Sequence, residues 1–198
     1  MPIARGQSCC RQHLQAIVGK ITTMQIREFR PTDLGADLEA DLEADLEADL
    51  EADLEAVVAL FTASVRGLAG SAYADQQLQA WAPDPPDLDH WHSKIASQNL
   101  LLAEQAGELV GMIGYEQDGH VDVLFTHPDH ARQGIAAQLH AEAERRLAEQ
   151  GVHELFTESS EVARPFFERQ GYQMERREVV AVRGVELHRY RMRRKATI

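Results

Sequence analysis

A short run, Val121-Asp-Val-Leu-Phe-Thr126, is followed by His-Pro-Asp-His-Ala-Arg-Gln-Gly134, and then by Ile135, Leu139, Ala143 and Leu147 at helical spacing. The first piece is rich in strand-favouring residues, and Pro128 ends it because proline donates nothing to a sheet ladder. The last piece is an amphipathic helix. A strand therefore feeds a polar turn, and the turn feeds a helix N-terminus. Free N–H groups and the helix dipole at that point favour an anion, and Gly134 has no side chain to hold one off. The turn lacks the Gly-Lys-Ser/Thr ending of a P-loop and the spaced glycines of a dinucleotide fingerprint.

The surrounding chain supplies the rest of a sheet. Met24 to Arg30 alternates apolar and polar residues, as a half-buried strand does, and Pro31-Thr-Asp33 offers a turn and an N-cap. Leu100–Glu104 and Leu109–Tyr115 form a hairpin around Gly107. Asp118-Gly119 is a tight turn into 121–126. After the 135–149 helix, Glu154–Glu158 is a strand expected to lie parallel to 121–126 through a right-handed crossover. A short helix stopped by Gly171 and a closing hairpin turned at Arg183-Gly184 complete the pattern. Further short helices start at Asp75 and Asp87. Tyr73 and Trp81, near the first of these, either line an acceptor pocket or cover the core beneath a loop.

Residues 33–56 are unusual: Asp-Leu-Gly-Ala is followed by five copies of Asp-Leu-Glu-Ala. The composition favours helix. A four-residue period drifts around the helix by about 40° per copy, so only two or three consecutive leucines can face one neighbour. The segment reads as a tolerated duplication that lengthens the first helix; the alternative is an interaction arm. It carries 11 of the 32 acidic residues and no basic one, leaving 21 acids against 20 Lys and Arg elsewhere. The net charge of −12 therefore reports one segment, and the body is close to neutral.

At 198 residues the chain has enough length for one full core. Residues 1–23 are expected to be a disordered extension or an over-long start ahead of Met24, with 24–198 as a single domain. No apolar run approaches a membrane span. The closing basic run, Arg189 to Lys195, is read as a solvated edge, so neither nucleic acid nor membrane is an expected partner. The two cysteines, Cys9 and Cys10, are adjacent and give no disulfide framework, which fits a reducing, cytoplasmic setting.

The turn resembles the pyrophosphate-binding turn of the GNAT N-acetyltransferase superfamily, Gln/Arg-x-x-Gly-x-Gly/Ala. Gly134 and Ala136 fill the last two fixed positions. The first falls on Ala131, a departure that Arg132 next door can offset with its charge. Ala163-Arg-Pro-Phe-Phe-Glu-Arg-Gln-Gly-Tyr172 is similar to that superfamily's last helix, and the order of elements matches over about 24–194. Tyr73…Gln77-Leu…Ala-Trp81, Asp122-Val-Leu-Phe, Arg164-Pro-Phe-Phe and Arg183-Gly look most like the bacterial YafP-type acetyltransferases.

The resemblance implies an α/β (α+β) GNAT fold, with a central mixed sheet of about seven strands flanked by helices, the first helix being lengthened by the repeat. It implies acetyl-CoA as co-substrate. The backbone of Leu124, Phe125 and Thr126 would run beside the pantetheine arm, and the amides of Arg132, Gln133, Gly134, Ile135, Ala136 and Ala137 would cradle the pyrophosphate. Ser159 or Ser160 would approach the cofactor where the parallel strands splay. Phe167 occupies the position at which the family often has a tyrosine acid, and a phenyl ring donates no proton.

Acetyl transfer to an amine needs positioning, a polarised carbonyl and a proton acceptor. Glu116, His120 and Asp122 are the candidates near the central strand. Asp122 ranks first, since it should point off the face that Val121 and Val123 occupy, and Glu116 second. His127 and His130 have a spacing that suits a metal, but the loop offers no third ligand in register, so no metal is expected. No nucleophile elbow or Cys–His pair suggests a hydrolase. The reading is acetyl transfer to the amine of a small molecule by direct attack in a ternary complex. The alternatives are a non-catalytic acyl-CoA-binding module with an interaction arm, and acetylation of a peptide or protein, N-terminal residues included. A homodimer is left open.

Overall fold

The computed structural model describes residues 24–29 and 40–196, with 40–50 described as backbone only. The expectations for 1–23, for the turn at Pro31–Asp33 and for the first part of the repeat fall outside these residues. Seven strands and five helices follow one another among them. They are β1 (Gln25–Glu28), α1 (Ala40–Leu68), α2 (Asp75–Trp81), α3 (Leu88–Ala96), β2 (Asn99–Gln105), β3 (Glu108–Tyr115) and β4 (Val121–Thr126). A 3-10 turn, Pro128–His130, leads to α4 (Ile135–Glu149), β5 (Glu154–Ser160), α5 (Arg164–Arg169), β6 (Gln173–Val182) and β7 (Val185–Lys195).

The single seven-stranded sheet expected from the sequence is corrected: the strands divide into two antiparallel sheets, β1-β2-β3-β4 and β5-β7-β6. β4 and β5 do run parallel, but they meet at one bridge, His120 to Phe156. The physical cause lies in β4. Its register against β3 slips between Gly114–Val123 and Tyr115–Val121, leaving Asp122 as an extra residue. Such a bulge bends the strand and sharpens its twist. Val121 therefore packs with Tyr115, Ile135 and Leu139 on the α4 face. Val123 packs with Trp91, Ile95 and Val57 on the opposite face. The alternation that placed Val121 and Val123 on one face does not hold across the bulge.

The first sheet is thus covered on both sides. Leu101, Ala103 and Ile113 meet α4, whereas Leu100, Leu102 and Met112 meet α1 and α3. α1 joins the core at its C-terminal half, through Leu54, Val57, Val58, Phe61 and Val65. Leu54 is buried, and Asp53 makes two 2.7–2.8 Å contacts to the Arg27 guanidinium on β1. The last copy of the repeat is accordingly fixed to the body at two points.

β7 is the middle strand of the second sheet. Its basic run is not the solvated edge expected from composition. Arg191 pairs with Glu158 at 2.6 Å, Arg193 with Glu175 at 3.0 Å and Arg194 with Glu144 at 2.5 Å. Each cation meets a carboxylate from a neighbouring strand or from α4.

Two groups near the junctions make the fold testable. Gly119 (φ +95°) donates to Glu116 O, and its own carbonyl accepts from Phe156 N at 3.1 Å, so it joins the two sheets beside the bridge. A Cβ there would lie 2.1 Å from the Glu154 carbonyl oxygen. Gly119→Ala is expected to cost about 2–4 kcal/mol, from left-handed strain plus overpacking, in a denaturant titration; a loss below about 0.5 kcal/mol contradicts this account of the junction. Inside α4, His140 is fully buried and its Nε2 lies 2.9 Å from the Tyr172 hydroxyl. Burial, and then Arg194, lower its pKa from 6.5 to about 4. The neutral ring is favoured in the folded chain, so the stabilisation is complete above pH about 6.5. It is lost as pH falls towards about 4, by about 3 kcal/mol at most. His140→Phe should flatten the stability profile across that window, and an unchanged slope in the variant rules His140 out as its source.

Candidate functional site

β4 pairs with β3 on one side, and beyond the His120–Phe156 bridge it diverges from β5. A cleft of about 660 Å³ opens along that divergence. The last residues of β4, Leu124, Phe125 and Thr126, line it together with Ser160 at the end of β5. At one end it reaches the turn and the first residues of α4, through Arg132, Gly134, Ile135, Ala136 and Ala137. At the other it reaches Ser64, Val65 and Leu68 of α1, Ala69 just after it, and Trp81.

The turn is built to present amides. Arg132 (φ +65°) and Gly134 (φ +84°) both adopt left-handed conformations, with Gln133 between them. Alternation of this kind turns successive N–H groups toward one concavity. Gly134 is the N-cap of α4, and no side chain caps the helix. The first-turn amides of Ile135, Ala136 and Ala137 have no acceptor within the helix. Arg132, Arg169 and His130 line the cleft, and among the described residues no carboxylate does. A chain of net charge −12 thus keeps a cationic cleft, which suits a polyphosphate.

Most of the residues expected around a cofactor therefore lie together: Leu124, Phe125, Thr126, Arg132, Gly134, Ile135, Ala136, Ala137 and Ser160. Gln133 does not line the cleft; its side-chain amide donates to Asp129 O at 3.3 Å. Phe167 does not line it either. It is buried in the core against Tyr172 and His140, and Phe166 faces the cleft instead. One residue along a helix rotates a side chain by about 100°, so Phe166 shares the open face with Ala163, Arg169 and Gln170. That periodicity within α5 is available in the sequence, as is the Ser64, Val65, Leu68 face of α1.

Trp81 lines the cleft and stands edge-on to Phe125, with ring centroids 6.3 Å apart. Tyr73 does not line it. Its hydroxyl accepts from Glu161 N at 2.9 Å and donates to His188 O at 3.2 Å, and its ring lies 5.4 Å from that of Trp81. Tyr73 thereby fixes the position of Trp81 against β7 and the end of β5.

Neither proposed base lines the cleft. Asp122, the bulged residue, forms an ion pair with Lys94 on α3. Glu116 lies 3.0 Å from His120 Nδ1, while His120 Nε2 lies 2.7 Å from Glu158, which in turn pairs with Arg191. The His120 ring stacks on Phe156 at 4.8 Å, so this network sits on the junction of the two sheets. His127 and His130 come together with a third potential ligand that the loop itself lacks, Glu108 at the start of β3.

Residues 70–194 match the model of the acetyltransferase (GNAT) domain, more than half of the chain. Over 137 residues the chain is 31% identical to the uncharacterized N-acetyltransferase YafP of Escherichia coli strain K12, spanning 69% of this chain and 86% of that protein. Among solved structures, a GCN5-related N-acetyltransferase from Rhodopseudomonas palustris aligns with a TM-score of 0.74 at 24% identity, covering 87% of this chain and 96% of that one. PaiA N-acetyltransferase from Thermoplasma acidophilum, in complex with coenzyme A, aligns with a TM-score of 0.62 at 16% identity, covering 87% and 99%. At these identities the structural likenesses bear on the fold alone.

Proposed function

The chain belongs to the GNAT acetyltransferase family and is an acetyltransferase that uses acetyl-CoA; on that premise we propose that it transfers the acetyl group to the amine of a small molecule by direct attack in a ternary complex. The observation that carries this reading is the cleft itself. One continuous space of about 660 Å³ joins an amide-rich, cationic end to an end enclosed by Trp81, Phe125 and α1. The first end suits the diphosphate and the second an amine of limited size. Holding both reactants in one space supplies most of the rate gain, because the attack becomes effectively unimolecular.

The amine nitrogen attacks the thioester carbonyl, the C–S bond breaks, and the sulfur leaves as a thiolate. The backbone of Leu124 to Thr126 would run along the arm, and those of its N–H groups that β3 does not engage would polarise the carbonyl. The acceptor must lose a proton. We assign this to Asp122, reached through water and ion-paired with Lys94; Glu116, tied to His120, is the second choice. Phe167 has no proton to give, so the thiolate is protonated from the open side of the cleft, where Ser160 supplies a hydroxyl.

Release of free thiol, measured over a panel of small amines, is expected for at least one of them. Turnover with peptide N-termini and with no small amine contradicts the small-molecule reading. Gly134→Val is expected to weaken acetyl-CoA binding by about tenfold or more, or about 1.4 kcal/mol. The left-handed backbone at Gly134 (φ +84°) adds strain of about 1–2 kcal/mol or more, but a Cβ there meets nothing nearer than Gln138 Nε2 at 4.0 Å, so a denaturant titration of the variant accompanies the binding measurement. Unchanged affinity in a folded variant removes the amide cradle from the account. Asp122→Asn should lower kcat by about a hundredfold or more, with the KM for acetyl-CoA within about twofold; an unchanged kcat moves the base to Glu116.

A further inference from the structure

We propose that Glu108, His127 and His130 form a binding site for a divalent transition metal, zinc by its ligand set, which clamps the turn that carries the amide cradle. The sequence conceals this site because its third member lies 19 positions upstream of His127. The β3–β4 register brings it in. Gly111 pairs with Thr126, and His127 N donates to Val110 O at 2.9 Å, which sets the start of β3 beside the end of β4. One potential ligand atom from each of the three residues lies within 4.8 Å of the others. Tetrahedral zinc with bonds of about 2.0–2.2 Å needs ligand atoms about 3.3 Å apart. The remaining gap is small, and Glu108 has room to close it, as its side chain is more than half exposed.

A second observation points the same way. His130 Nδ1 is buried without a hydrogen-bond partner, and Nε2 stands 3.7 Å from Glu108, beyond hydrogen-bond reach. A buried imidazole nitrogen without a protein partner is uncommon in native proteins, and Nε2 of the same ring stays open to an added ligand beside Glu108. His127 Nδ1 accepts from Asp129 N at 3.3 Å, the tautomer with the proton on Nε2; ligation through Nε2 moves that proton to Nδ1, where the neighbouring Asp129 carboxylate can accept it. Asp129 also places a carboxylate 3.9 Å from that Nδ1. The turn is held in place from below, since Pro128 packs so closely on Gly67 of α1 that a Cβ there would lie 2.6 Å from its ring. Two imidazoles and one carboxylate make a nitrogen–oxygen set that suits zinc, with water completing the shell. His130 itself lines the cleft, two residues before Arg132. Metal bound here ties β3 to the segment that shapes the cradle.

The test is titration of the full-length chain with Zn²⁺ in the absence of acetyl-CoA, so that it stands apart from the acetyl-transfer reading. Cys9→Ser and Cys10→Ser are included to remove competing thiols. One equivalent should bind and raise the thermal midpoint, since a ligand of the folded state stabilises it. His127→Ala, His130→Ala and Glu108→Gln should each weaken binding by about tenfold or more. Glu108→Gln removes an exposed carboxylate and is the variant to rely on should a histidine variant fold poorly. Co²⁺ in place of Zn²⁺ should give visible d–d bands that vanish in the same variants. Absence of saturable one-equivalent binding, or equal affinity in the parent and Glu108→Gln, overturns the site.

Discussion

A strand with one unpaired side stands beside an uncapped helix N-terminus, and the other features of this protein follow from that pairing of unmet donors. β4 has β3 on one flank and a single bridge to β5 on the other. Backbone polar groups left this way demand a partner. The bulge at Asp122 creates the situation by turning β4 away from β5, and Gly119 and the His120–Phe156 bridge limit how far the two strands part. Close by, the amides at the start of α4 open onto the same space. A diphosphate joined to an extended amide-containing arm matches both sets of groups at once, which is why the fold and the acetyl-CoA chemistry belong together.

Charge is arranged around that requirement. The overall excess of acid is concentrated in the repeat, at the far end of α1. The arginines of β7 are engaged by Glu158, Glu175 and Glu144 across the second sheet. Arg132 and Arg169 instead open to the cleft, where no carboxylate among the described residues opposes them. The described part of the repeat, 40–56, lies within α1, and among the residues whose side chains are described those that pack on the core run from Leu54 through Phe61 and Val65. A four-residue period makes this outcome natural, because its leucine stripe leaves any one face after two or three copies.

Local features of the sequence were the legible ones. β4 and α4 begin and end where apolar spacing, Pro128 and Gly134 put them, and the amide turn followed from those boundaries. Long-range consequences were not legible. The bulge inverts the expected facing of Val121 relative to Val123, and it depends on a register that only the folded pair β3–β4 defines. The division into two sheets is a result of the same slip. Phe167 was assigned to the cleft by analogy with related chains, whereas the helical rotation of α5 gives that place to Phe166. For Tyr73 the sequence leaves pocket lining and core cover both open; the structure makes it a strut for Trp81, because its hydroxyl finds two backbone partners more than 80 residues away. Glu108 reaches His127 and His130 across a hairpin, a neighbourhood that spacing along the chain does not reveal.

The most direct measurement of the central claim is a titration of the isotope-labelled protein with coenzyme A, following backbone amide resonances. The amides of Gly134, Ile135, Ala136 and Ala137, together with those at the end of β4, should move downfield as they acquire phosphate and pantetheine acceptors, while β6 and β7 stay still. Saturable binding that leaves the 132–137 amides unmoved contradicts the account, because the anion would then be held somewhere other than the turn between β4 and α4.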